Sequence, residues 1–227
     1  MISILFAVAF IPMIIACIWI RNTEKHNREF WRYIFLTFVW GASIAIIMSF
    51  LLEKRAMNRI DNYLIMLVVV GPIIEEISKV VPLFIIRKQI NEVEDGFIFG
   101  AVAGLGFAAT ENLIYGIRYM DYSIVVLISL FYLRTMGTAL LHASATSLAG
   151  YGISSRLVRK KSILYMISLF VLAVFTHSVF NLFAFSSQIT NQIFGTVIAV
   201  MFGFILYLAI RQRIIHLDEN NKKKKGA

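Results

Sequence analysis

The chain has 227 residues, 59% of them hydrophobic and 15% charged, with a formal net charge of +9 and a mean hydropathy of +0.77. A soluble domain carries about 25% charged residues, so this composition excludes a water-soluble enzyme and leaves nucleic acid a poor explanation of the positive charge. The single cysteine, Cys17, excludes an internal disulfide.

Each membrane crossing needs about 20 apolar residues, and seven segments qualify: 2–20, 32–52, 62–86, 95–117, 122–150, 162–185 and 188–210. They predict an all-α, polytopic membrane helix bundle with one transmembrane domain over 1–216 and a polar basic tail over 217–227. The first segment lacks a basic stretch before it and is expected to stay as a helix rather than be cleaved as a signal peptide. The fifth is too long for a simple crossing and is expected to be tilted, broken or partly interfacial.

Basic residues alternate between the connections. Arg21, Lys25, Arg28 and Arg32 lie in the first, Arg87 and Lys88 in the third, and Arg156, Arg159, Lys160 and Lys161 in the fifth. The tail adds Arg211, Arg213 and Lys222 to Lys225, whereas the opposite side holds only Lys54, Arg55, Arg59 and Arg118. The positive-inside rule then places the chain in the cell membrane with its N-terminus outside and its C-terminus in the cytoplasm. The basic face is expected to meet anionic lipid headgroups, and the tail from Leu217 to be disordered.

The third segment carries Glu75, Glu76 and Lys79 inside an apolar run, between Pro72 and Pro82. A charge near the bilayer centre costs roughly 2.5 to 3.5 kcal/mol on insertion scales, so three within five residues mark a polar site or an ion pair that holds helices together. Lys79 falls three and four residues after the carboxylates and reaches either on one helical face. The prolines remove the hydrogen bonds to the Val68 and Ser78 carbonyls, which suits a kinked helix beside water.

The fourth segment aligns Gly96, Gly100 and Gly104, a row that predicts close helix packing, and then carries Glu111 and Asn112. The fifth holds Arg134, Thr138 and His142, with Arg134 read as a counter-ion, and the sixth holds His177 and Asn181 at helical spacing. Core site residues are thus confined to 62–185. Carboxylates from two segments and imidazoles from two more form the parts for water attack on a peptide carbonyl. Glu75, Glu111, His142 and His177 equally form a metal shell for a divalent ion such as zinc. HExxH and GxSxG patterns are absent.

The ordered set Glu75-Glu76-Ile77-Ser78-Lys79, Phe107-Ala108-Ala109-Thr110-Glu111-Asn112, His142 and His177-Ser178-Val179-Phe180-Asn181 resembles the PrsW family of membrane proteases, within a superfamily that includes the type II CAAX prenyl endopeptidases. The resemblance implies an intramembrane endopeptidase acting on a single-pass membrane protein, in that branch an anti-sigma factor. It implies Glu75 as activator of water, Glu76 with a nearby basic residue, here Lys79, as its support, and His177 and Asn181 as transition-state donors; in the protease reading Glu111, beside Asn112, shares or shuttles the proton, and His142, His177 and Asn181 stabilise the oxyanion or bind metal. Lys79 stands where the CAAX-type proteins have an Arg one residue later, and Glu111 where they have a His. A non-catalytic scaffold of the same superfamily and a proton-coupled transporter are the alternative functions.

Overall fold

The computed structural model describes residues 2–120, 124–189 and 192–225, with side chains described for 2–120, 136–185 and 197–223. Among these residues the chain forms seven long helices: α1 (Ile2–Arg21), α2 (Trp31–Met57), α3 (63–85), α4 (Val93–Arg118), α5 (Ile124–Val158), α6 (Ile163–Ile189) and α7 (Gln192–Lys225). Five of them, α1, α2, α4, α6 and α7, contain stretches long and apolar enough to cross a membrane. The other two are α3, which carries the three charges, and α5, whose first part lies outside the described side chains. The protein is a multi-pass membrane helix bundle.

The bundle is built around α4. In its apolar stretch 78% of residues are buried, against 22–28% in the other four spans, whose exposed Ile, Leu and Phe side chains face outward. α4 can occupy the centre because it is made of small residues. A Cβ at Gly96, Gly100 or Gly104 would strike the Gly150, Thr146 and His142 carbonyls of α5, and one at Gly106 would strike the Phe38 carbonyl of α2. Small residues permit this backbone approach, and it sets His142 and Thr146 against the middle of α4. α3 then packs into the angle left by α2, α4, α5 and α6, while α6 and α7 lean on α5.

α5 is one continuous helix through Val158, so the expectation of a broken crossing does not hold for its described backbone. The polar tail also differs from expectation, because α7 stays helical to Lys225. Two contacts explain this. Asp218 accepts hydrogen bonds from the Lys25 and His26 backbone N–H groups at 2.9 and 3.2 Å, and Asn221 donates to Glu94 at 2.7 Å. The end of α7 is therefore docked against the first connection and the start of α4.

Two helices contain a π-turn, Gly41–Ala45 in α2 and Met66–Val70 in α3. The second changes which carbonyl Pro72 leaves free. Gly71 N–H bonds back to the Met66 carbonyl, so the next carbonyl, Leu67, would be served by residue 72, and proline has no N–H. Asn181 of α6 supplies the missing donor at 3.0 Å. At Pro82 the expected carbonyl is the one freed: Ser78 accepts from the Trp40 indole N–H of α2 at 3.1 Å. The two prolines thus pin α3 to helices on either side of it.

Candidate active site at the centre of the bundle

Lys79 is the fully buried hub. Its ammonium donates to Glu76 Oε1 at 2.7 Å and to His142 Nδ1 at 2.8 Å, and lies 3.3 Å from Glu75 Oε2. Its fourth side faces the Phe107 ring, 4.4 Å from the centroid, an electrostatically favourable seat for a cation. An ammonium only donates, so His142 Nδ1 accepts and Nε2 carries the hydrogen. That hydrogen faces Glu111 Oε2 at 3.0 Å.

Glu76 is also fully buried, and both its oxygens are used. Oε1 takes Lys79 and His177 Nδ1, the latter at 2.9 Å, and Oε2 takes the Thr146 hydroxyl at 2.8 Å. Three donors, one of them an ammonium, offset the cost of removing this carboxylate from water. His177 Nδ1 donates, which turns the lone pair of Nε2 toward Glu75 Oε2, 3.7 Å away. That oxygen is buried and has no hydrogen-bond partner. Two acceptors therefore face each other across a gap that a single water molecule can span by donating to both.

The structure brings Glu75, Glu76, Lys79, Glu111, His142 and His177 into one cluster on α3, α4, α5 and α6. Asn112 and Asn181 have different neighbours. Asn112 accepts from Thr138 at 3.1 Å, and its amide nitrogen is buried without a partner. The Asn181 amide is spent on the Leu67 carbonyl. Arg134 lies outside the described side chains. Thr146 was not singled out by sequence, although it follows His142 by one helical turn, and Phe107 was read only as part of the motif that ends in Glu111 and Asn112. Glu53 was also missed. It lies on α2 near Gly71 and within electrostatic reach of Glu75 and Glu111, just past the apolar run expected to end at 52.

Glu75, His142 and His177 offer ligand atoms within 4.8 Å of one another, the two-imidazole, one-carboxylate composition of a catalytic zinc site. Glu111 is not in this set. The donor types fit a metal, but the lone pairs do not. His142 presents Nδ1 to Lys79 and an N–H to Glu111, which leaves two free ligand atoms with an ammonium 3.3 Å from one of them. As arranged, Lys79 takes the place where an ion would bind His142.

A polar site of carboxylates, an ammonium and imidazoles inside a multi-pass helix bundle defines a membrane protein equipped for proton-transfer chemistry. The family described as "PrsW family intramembrane metalloprotease" matches residues 29–210, and the chain belongs to it. It is 34% identical over 119 residues to Protease PrsW of Clostridioides difficile (strain 630), a match covering 49% of this chain and 50% of that one. The chain thus aligns with about half the length of that curated relative. No solved structure matches it.

Proposed function

We propose that the protein is a membrane-embedded endopeptidase that hydrolyses a peptide bond of a single-pass, membrane-anchored protein, with Glu75 as general base. The observation that carries this reading is Glu75 Oε2, the buried site oxygen without a hydrogen bond, facing the His177 Nε2 lone pair at 3.7 Å. A water held by both atoms loses a proton to Glu75 as its oxygen attacks the carbonyl, and Glu75 returns that proton to the departing amine. Glu76 and Lys79 hold the geometry. The Glu111–His142 pair accepts and relays protons between the site and the half-exposed end of Glu111. Asn112 stands apart from the cluster, but its buried amide N–H has no acceptor, and it is the proposed donor for the developing oxyanion once a substrate is bound.

Family membership and the likeness to Protease PrsW support the protease reading over a scaffold or a transporter. We further propose an anti-sigma factor as substrate and kinship with CAAX-type endopeptidases, on the ordered motif set, and a cell-membrane location with the basic connections in the cytoplasm, on the uneven distribution of Lys and Arg. The decisive experiment reconstitutes the purified chain in liposomes with a labelled single-pass substrate. Wild type cleaves and Glu75→Gln does not; equal cleavage by the two would overturn the mechanism, and no cleavage by wild type would favour the scaffold.

The 4.8 Å grouping of Glu75, His142 and His177 favours a second reading, a zinc-type ion displacing Lys79. Metal analysis of the purified protein separates the two. Stoichiometric zinc lost with His177→Ala supports the ion, and full activity in metal-free protein supports Glu75 acting alone.

A further inference from the structure

A second cluster of carboxylates lies at the other end of the bundle. Glu94 and Asp95 open α4, and 16 residues of helix separate Asp95 from Glu111, roughly 24 Å at 1.5 Å per residue. Glu24 and Glu29 come from the first connection and Asp218 from α7, and all five side chains are buried. One oxygen from each of Glu24, Glu29 and Asp95 lies within 4.8 Å of the others, and the same holds for Glu24, Glu94 and Asp218. Glu24 belongs to both groups.

Burial alone does not make this a site; the hydrogen bonds do. Asp95 Oδ2 takes the Asn91 and Glu92 N–H groups and leaves Oδ1 without a partner. Glu94 takes Asn221 on Oε1 and leaves Oε2. All four oxygens of Glu24 and Glu29 lack a hydrogen-bond donor, and Glu24 is wholly inaccessible. The nearby guanidiniums do not serve these carboxylates. Arg28 donates to the Glu24 main-chain carbonyl at 2.7 Å and Arg21 to that of Glu29 at 2.8 Å. Six buried carboxylate oxygens therefore converge from the first connection and the start of α4 with no hydrogen-bond donor to them, joined by Asp218 of α7, whose two oxygens accept the Lys25 and His26 N–H groups. Beside them lies a cavity of about 80 Å³ whose lining includes Glu29, Asp95, Asn27 and Asn91 together with Arg28, whose Nε is turned to the Glu24 carbonyl; it is large enough for an ion with part of its water.

We propose that this cluster binds a hard divalent cation, calcium or magnesium, with Glu24 as the shared ligand. All the donors are oxygen, and carboxylates without nitrogen or sulfur select such ions over zinc. The ion ties the first connection to the start of α4 and the end of α7, the helices against which α5 and the central site are packed. It is a structural site, separate from the chemistry at Glu75.

The test uses full-length protein in detergent, stripped with EDTA and dialysed. Equilibrium dialysis with radioactive calcium should show saturable binding of one or two ions per chain, and calcium or magnesium chloride should raise the unfolding temperature. Glu24→Gln should abolish both effects, Glu29→Gln should weaken binding at least tenfold, and Glu75→Gln should leave them as in wild type. Competition by magnesium identifies the preferred ion. Absence of saturable binding to wild type overturns the proposal, as does binding that survives Glu29→Gln unchanged. If Glu24→Gln does not fold, the wild-type and Glu29→Gln measurements decide. Loss of binding in Glu75→Gln but not in Glu29→Gln would move the ion to the central site.

Discussion

The protein buries carboxylates at two places and treats them in opposite ways. At the centre of the bundle, Glu76 has a donor for each oxygen and an ammonium at 2.7 Å. At the end that gathers the first connection, Glu24 is buried as deeply and has no donor. Burial and the neighbouring charge of Glu29 push the Glu24 carboxyl up to about 12, and burial raises that of Glu29 as well. A buried carboxylate rich in donors stays charged and organises its surroundings, whereas one without donors takes up a proton or a cation. The first arrangement suits fixed chemistry, and the second suits reversible occupation.

The largest effect that would break this comparison is at Glu76. Glu76→Ala leaves Lys79, His177 and Thr146 without their shared acceptor, and removing one member of a buried ion pair costs about 3–5 kcal/mol. Thermal unfolding in detergent should fall accordingly, and cleavage should be lost with it. Glu75 is the contrast within the same site. Glu75 Oε2 lies 3.3 Å from the Lys79 ammonium without a hydrogen bond, and Lys79 keeps its 2.7 Å bond to Glu76 when Glu75 is neutral, so Glu75→Gln should lower the unfolding temperature clearly less than Glu76→Ala. Cleavage should nevertheless drop by about 100- to 10,000-fold, the usual contribution of a general base. A Glu75→Gln protein as unstable as Glu76→Ala would mean that both glutamates are structural.

An intermediate effect is expected at Asn181. Asn181→Ala returns the Leu67 carbonyl to an unserved state beside Pro72, a loss of about 1 kcal/mol, and loosens α3 next to Glu75. Unfolding should shift slightly while kcat falls more than KM rises. If Asn181 instead donates to the oxyanion, Asn181→Ala leaves stability unchanged.

The two regions also differ in how far they were legible in the sequence. Glu75, Glu76, Lys79, Glu111, His142 and His177 stand out because an ionisable residue in an apolar run is costly, and the glycine row of α4 predicted the close packing that seats His142. What one-dimensional pattern could not show is where each hydrogen bond goes. The π-turn at Met66–Val70 moved the orphan carbonyl from Val68 to Leu67, and with it the partner of Asn181. Periodicity does not register a one-residue insertion in a helix. Glu24, Glu29, Glu94, Asp95 and Asp218 left no mark at all. They sit in or beside polar stretches where a charged residue normally faces water, and the packing of the first connection, the start of α4 and the end of α7 against one another buries them.

The smallest expected effect is the sharpest, because its sign differs between the two clusters. In EDTA, Glu24 holds a proton, and Glu24→Gln replaces this neutral carboxyl and its single O–H by an amide with two N–H groups to offer Glu29, Glu94 and Asp95. The variant should be as stable as wild type or more so, by up to about 1 kcal/mol, a typical net value for a gained hydrogen bond. Glu76→Gln, by contrast, exchanges an acceptor for a donor beside Lys79, Thr146 and His177, and should destabilise in any buffer. On adding calcium or magnesium the order at Glu24 should reverse, because only wild type gains the ion, and binding to the folded state alone stabilises in proportion to the logarithm of its occupancy. Unfolding curves of the two variants with and without cation measure this directly. A Glu24→Gln protein less stable than wild type in EDTA would show that Glu24 already has a compensating partner, and the contrast between the two ends of the bundle would disappear.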